Sequence, residues 1–335
     1  MPVGRPGWSP QLPDRILTFL MGSAYANWAR AGLAGDASDR RFERLTGSDG
    51  RSVILMDTPP DGGEQLGQFL RIGRHLASIG LCPPETLLAD ESAGLLVIED
   101  LGTMQFAQWL AFQPLDESRL YSSAIDVLVL VQNHAPPDGL AALTPAVAAR
   151  MIAPLAEWYA PHVPLPTLIT ALESALSRHA PDAEHLALRD YHAENLIWRP
   201  DRSGTDSVGL LDFQDAVLAP PEYDLVSLLR DARRDVSAAI CEAMTVRFAD
   251  QTGRDPVQTR AAMACLGVQR NLRILGIFAR LAVRDGKWRY LDLMPRVWAH
   301  VQHDLSHPAL AELAPLINAQ IPAPDAAFLA GFRTR

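Results

Sequence analysis

Short apolar runs separated by turn residues fill the first third of the chain, and long stretches of helical period fill most of the rest. Asp14–Ala31 reads as a helix. Arg40–Thr46 and Arg51–Asp57 read as strands, and Gly47-Ser48-Asp49-Gly50 between them is a strong turn signal, so a β-hairpin is predicted. In Glu64–Ile79 the residues Leu66, Phe69, Leu70, Leu76 and Ile79 share one helical face, and Gly80 supplies a residue able to end the helix at positive φ. Glu85–Ala89 and Leu95–Ile98 flank Asp90–Gly94 and predict a second hairpin. From Asp116 the period is helical, over Asp116–Asn133, Thr144–Tyr159 and Thr167–His179. The pattern predicts an α+β protein in three stretches. These are an N-terminal extension and helix over 1–34, a small β-rich lobe over 35–101, and a larger, mostly helical lobe over 102–335. The two lobes join through Glu99-Asp100-Leu101-Gly102.

Composition narrows the possibilities. With 335 residues, 48% of them apolar, the chain can bury one large core or two packed lobes. The net charge of −9 comes without a long single-sign run, which speaks against a nucleic-acid partner and against an acidic disordered tail. Cys82, Cys241 and Cys265 are odd in number and lack metal-ligand spacing, so reduced thiols in a cytoplasmic protein are expected. Met1–Pro13 has no signal-peptide core, and no run reaches the ~18 apolar residues of a membrane span. No membrane association and no obligatory protein partner are predicted.

The chemistry concentrates in Leu188-Arg189-Asp190-Tyr191-His192-Ala193-Glu194-Asn195 and in Leu210-Leu211-Asp212-Phe213-Gln214-Asp215. Between them, Leu196–Arg199 and Val208–Leu211 bracket the loop Pro200–Ser207 and predict a third hairpin. Pairing Leu196 with Leu211 and Arg199 with Val208 sets Asn195 opposite Asp212 at the open end, with Cβ atoms ~5 Å apart. Two such oxygen donors suit Mg²⁺, which takes one or two carboxylates and completes its shell with phosphate oxygens and water. Asp190 precedes Asn195 by five positions, the D-x-x-x-x-N spacing in which the aspartate accepts the proton of an attacking hydroxyl.

Asp190, Asn195 and Asp212 match the catalytic-loop and metal positions shared by protein kinases and the aminoglycoside phosphotransferase family, which the chain resembles. Within that family it is most similar to the anomeric sugar kinases of bacterial cell-wall recycling, which act on N-acetylmuramate and N-acetylglucosamine at C1. The likeness rests on Gly35–Phe42, Val53–Pro60, Leu211–Val217, Tyr223–Asp231 and Gln269–Phe278. It implies a two-lobed protein-kinase-like fold with the active site in the cleft, ATP and Mg²⁺ as cofactors, and a small amino sugar as substrate. Nucleotide contacts are then expected from Gly35, Ala37 and Ser38 over the phosphates, from the backbone of Glu99, Asp100 and Leu101 at the adenine edge, and from Ile54 and Leu96 against the base. Protein kinases carry a phosphate-binding lysine where this chain has Met56 in Val53-Ile54-Leu55-Met56. Either an arginine such as Arg41 or Arg44 replaces that charge, or nucleotide binding is weak.

Arg189, Gln214, Arg230 and Arg233 are candidates for sugar hydroxyls or a lactyl carboxylate, with surface charge the alternative reading for the arginines. His192 either packs the loop or touches substrate. Asp215 is a second metal or substrate contact or a loop cap. Asp224 is a helix-start carboxylate that braces the catalytic loop in related kinases. Gln269-Arg270-Asn271 is a buried polar cluster or a substrate wall. The rival functions are an aminoglycoside or choline-like kinase on the same fold and, motivated by Met56, a nucleotide-binding pseudokinase.

Overall fold

A computed structural model describes residues 12–33, 40–59 and 63–333. In chain order the regular elements begin with α1 (Leu12–Leu20), β1 (Ala29–Leu33), β2 (Arg41–Thr46), β3 (Ser52–Asp57), α2 (Gly63–Ser78), β4 (Thr86–Asp90) and β5 (Leu95–Glu99). There follow α3 (Phe106–Phe112), α4 (Glu117–Gln132), α5 (Pro145–Arg150), α6 (Leu165–His179), β6 (His185–Ala187), β7 (Leu196–Trp198), β8 (Val208–Leu210) and β9 (Val217–Ala219). The chain closes with α7 (Tyr223–Leu229), α8 (Ala238–Thr252), α9 (Pro256–Val283), α10 (Met294–Leu305), α11 (Leu313–Gln320) and α12 (Ala326–Phe332). These elements form two compact units. One takes in the chain up to Met104 together with Ile197–Asp215, and the other comprises Gln105–Leu196 and the chain from Ala216 on.

The first unit is built on an antiparallel sheet of strand order β1-β2-β3-β5-β4. Its period of two separates the faces cleanly. Leu45, Val53, Leu55, Leu95 and Val97 form a buried cluster with Ile16 and Leu20 of α1, and Phe19, Tyr25 and Trp28 pack around it. Phe42, Met56 and Leu96 align across the strands, as do Arg44, Ile54 and Ile98, so these six residues share the opposite face. Arg15 of α1 pairs with the buried Asp57 on the α1 side.

The N-terminal expectation needs correction. The helix stops at Leu20 instead of reaching Ala31, Gly22 turns the chain at φ 78°, and Ala29–Leu33 becomes an edge strand. Ala29-Arg30-Ala31-Gly32-Leu33 has no alternation to announce a strand; pairing with β2 supplies what local propensity does not.

The second unit is organised around α9, 28 residues long and capped by Asp255, whose side chain accepts from Val257 N–H at 2.8 Å. The continuous helix expected over Thr144–Tyr159 is broken: α5 ends at Arg150, and Leu155–Tyr159 forms a π-helical turn after Pro154, which lacks the N–H a helix interior needs. That break lets α9 approach. A Cβ on Gly276 would sit 2.2 Å from the carbonyl carbon of Pro154 and 2.4 Å from the nitrogen of Leu155, so the close packing requires glycine there. Among the described residues no helix is long and apolar enough to cross a membrane.

Gly276→Ala is therefore expected to destabilise by about 3 kcal/mol, at the upper end for overpacking because the obstruction is backbone. Gly67→Ala, in α2 with nothing near its missing Cβ, is expected to stabilise by about 0.5–1 kcal/mol. Urea denaturation of the two variants beside the parent checks both signs.

Candidate active site

In the helical unit, the segment after β6 is held in an uncommon backbone conformation. Arg189 has φ 71°, in the left-handed region where a side chain carries a cost on the order of 1 kcal/mol. Asp224, in the first turn of α7, offsets that cost by accepting from the backbone N–H of Leu188 at 2.6 Å and of Arg189 at 2.9 Å. Ser227, one turn on, donates its hydroxyl to the carbonyl of Arg189 at 3.1 Å and accepts from Arg270 Nη2 at 2.8 Å. Both backbone polar groups of Arg189 are thus fixed by α7. Burial pushes the Asp224 carboxyl up to about 7, against the pull of the two N–H groups and Arg270. Asp224 is consequently a brace, with both oxygens committed to the loop.

Downstream, Asn195 folds back on the candidate base. Its Nδ2 donates to the backbone carbonyl of Asp190 at 2.9 Å, which leaves Oδ1 as the atom it can offer to a cation. His192 is buried, its Nε2 3.3 Å from Arg233 Nη1 and 3.4 Å from Asn195 Nδ2. Burial, aided by Arg233 and Arg270, keeps the His192 ring well below its ordinary pKa, so it is neutral and packs the loop. Arg233 also pairs with Glu194 at 2.9 Å, and Tyr191 donates its hydroxyl to the Ala124 carbonyl at 2.9 Å. Asp190 and Asn195, the candidate base and cation ligand, therefore sit on one tightly bound turn.

In the first unit, β7 and β8 form the predicted hairpin, closed by Arg199 N–H on the Ser207 carbonyl at 2.9 Å. Leu210 N–H donates to the Cys82 carbonyl at 2.9 Å, and Trp198 N–H to that of Met104 at 2.7 Å, which anchors both strands. Asp212 follows β8 with φ 58°, the second non-glycine residue in the left-handed region. Its Oδ1 accepts from Arg40 Nη2 at 3.0 Å and from Gln214 Nε2 at 2.9 Å. Phe213 is fully buried and stacks on Phe69 with ring centroids 4.9 Å apart, which locks the turn. The Asp212 carboxylate in the first unit and Asn195 Oδ1 in the second are each hard oxygen donors of the kind Mg²⁺ takes. Among the described residues no group of three or more His, Cys, Asp or Glu is placed to hold a metal.

The other predicted residues are placed unevenly. Gly35, Ala37 and Ser38 lie outside the described residues. Ile54 and Leu96 share the sheet face that also carries Met56, whereas Arg41 pairs with Asp57 in the register and points to the other face. Arg44 shares the Ile54 face but is bound to Asp100 at 2.6 Å, and Asp100 also accepts from Ser52 Oγ and Gly102 N–H. Glu99 pairs with Arg199 at 3.5 Å, and the Leu101 side chain lies where a Cβ on Gly209 would be. Asp215 ends the Asp212 segment. Arg230 is turned away from the catalytic loop into a pair with buried Asp304 at 3.0 Å. Arg40 was missed; it stands two residues before Phe42, and the alternation that puts Phe42 beside Met56 was the available signal.

Asp224→Ala leaves two buried N–H donors without an acceptor. A loss of about 2–5 kcal/mol in folding stability is expected, with the loop released from its left-handed turn; urea unfolding measures it.

The profile of the phosphotransferase enzyme family designated APH matches residues 30–264. An N-acetylmuramate/N-acetylglucosamine kinase of Caulobacter vibrioides is 36% identical, over 91% of this chain and 95% of its own. One of the same name from Pseudomonas putida is 32% identical over 85% and 86%. Among solved structures, a choline/ethanolamine kinase family protein of Mesorhizobium loti superposes with TM-score 0.64 at 14% identity, covering 97% of this chain and all of its own. A GDP and kanamycin complex of an aminoglycoside 2″-phosphotransferase gives 0.61 at 14%, over 89% and 99%. The fold is protein-kinase-like, as expected, and the chain belongs to the APH phosphotransferase enzyme family.

Proposed function

We propose that this protein transfers the γ-phosphoryl group of ATP to the anomeric hydroxyl of N-acetylmuramate and N-acetylglucosamine, in the cytoplasm, as a step of cell-wall sugar recycling. The observation that carries the reading is near end-to-end similarity to kinases named for these two sugars. The catalytic-loop geometry supports it.

Asp190 orients the acceptor hydroxyl and takes its proton as the bond to phosphorus forms. Asn195, through Oδ1, and Asp212 are the Mg²⁺ ligands. When bound, Mg²⁺ supplies positive charge against the phosphate oxygens. Arg40 stands in for the absent lysine: Met56 is buried and apolar, and Arg40 is the guanidinium that reaches the Asp212 carboxylate. Gln214 holds the same oxygen and fixes the carboxylate's orientation. A cationic aminoglycoside is a poorer acceptor for the helical unit, where Arg189, Arg233, Arg270 and Arg273 cluster near the loop.

Incubation with Mg-ATP and each sugar, read by ADP release and ³¹P NMR, is expected to give an acid-labile sugar 1-phosphate. Asp190→Asn is expected to lower kcat by about 10²–10⁴-fold. Phosphate on kanamycin or choline in place of the sugars would reject the acceptor, and transfer to none of them would favour the pseudokinase.

Arg40→Ala is expected to raise the KM for ATP by about 10-fold or more, the worth of a charged hydrogen bond. An unchanged KM would remove Arg40 from the phosphate site.

A further inference from the structure

Two guanidinium groups on one face of α9 lie beside the catalytic loop with no ion pair to a carboxylate among the described residues. Arg270 is 7% exposed; its Nη2 binds Ser227, and its Nη1 is buried with no hydrogen-bond partner. Arg273 stands three residues further along α9, one turn away on the same face. No hydrogen bond or ion pair joins Arg273 to any described residue. The Ser227 hydroxyl connects this pair to the loop, since the oxygen that accepts from Arg270 donates to the carbonyl of Arg189, the residue before the base.

Their surroundings answer the positive charge only in part. Asp224 and Asp231 face Arg270, but neither forms an ion pair with it: Asp224 has both oxygens committed to the Leu188 and Arg189 amides, and Asp231 accepts from the backbone N–H of Arg233 through Oδ1 while its buried Oδ2 has no hydrogen-bond partner. Arg189 and Arg270 add positive charge near Arg273, while Asp190 and Tyr223 are the acidic groups that face it. Burial lowers the pKa of Arg273, the mark of a guanidinium withdrawn from water. Arg270 is buried and Arg273 half-buried, so a guanidinium left without an ion pair there is costly, and a planar fork of N–H donors matches a carboxylate in a bidentate pair.

The two sugars of the proposed reaction differ in one charged group, the carboxylate on the lactyl ether of N-acetylmuramate. We propose that Arg273, with the inward Nη1 of Arg270, forms the subsite that binds this carboxylate and sets the preference between the two acceptors. The proposal rests on the sugar-kinase reading. Neither arginine takes part in proton or phosphoryl transfer. Arg273 acts on KM for the acid sugar, and Arg270 additionally positions the loop through Ser227.

The test compares kcat/KM for N-acetylmuramate, its methyl ester and N-acetylglucosamine in the parent, Arg273→Gln and Arg273→Lys. The parent is expected to prefer the free acid over the ester by about 10–100-fold, the range of a charge-assisted hydrogen bond. Arg273→Gln is expected to abolish that preference and to lower the ratio of N-acetylmuramate to N-acetylglucosamine by the same factor, chiefly through KM. Arg273→Lys should restore part of it. A parent indifferent to esterification overturns the subsite, and so does an Arg273→Gln variant that weakens all three acceptors equally. Because each comparison is made within one protein, partial misfolding cancels. A parent that phosphorylates none of the three is a different failure, visible before any substitution, and it removes the sugar reading together with the subsite.

Discussion

The buried carboxylate of Asp224, placed between the N–H groups of Leu188 and Arg189, is the interaction on which the candidate site depends. A left-handed Arg189 is unfavourable alone, and in an isolated loop it would relax. Two short hydrogen bonds to one buried acceptor, with Ser227 on the carbonyl, over-determine the turn. The direction of Asp190 follows from that backbone, so the candidate base is aimed by a helix. The stabilisation comes from a group that burial disfavours in its charged form, so the carboxylate and its amide donors depend on one another.

A similar arrangement recurs on the first unit. Asp212 also adopts positive φ, and it too is held from the side, by Arg40 and Gln214 on one oxygen and by the stacked Phe213 behind it. These two residues are the only non-glycine positive-φ positions among the described residues, and both fall in the segments that carry the chemistry. Strain there is sustained by polar contacts that a functional carboxylate needs in any case to be oriented. Met56 lies in the same frame, because Arg40, just before the strand that pairs with it, reaches Asp212.

Much of this was legible in the sequence, for identifiable reasons. The hairpins announced themselves through Gly47–Gly50, Asp90–Gly94 and the loop after Arg199, where turn chemistry is local. Asp190, Asn195 and Asp212 stand out as candidates because their spacing and residue types are jointly uncommon. What stayed hidden depended on tertiary pairing. The strand Ala29–Leu33 has no pattern of its own and exists through β2. The break after Arg150 is needed by the approach of Gly276, over a hundred residues away in the chain. Arg41 is set apart from Arg40 and Arg44 by the sheet face it occupies, and so by register, and Arg44 from Arg40 by its pair with Asp100. Arg273 could not be told from an ordinary helical arginine until its lack of an ion pair among the described residues was visible.

The most direct measurement is amide hydrogen exchange at Leu188 and Arg189 in the ligand-free protein. If the Asp224 brace is formed before any substrate arrives, both amides exchange slowly, with protection comparable to that of the α7 core. Exchange as fast as in the loop Pro200–Ser207 would show that the turn is not held and that the base is not preorganised by α7.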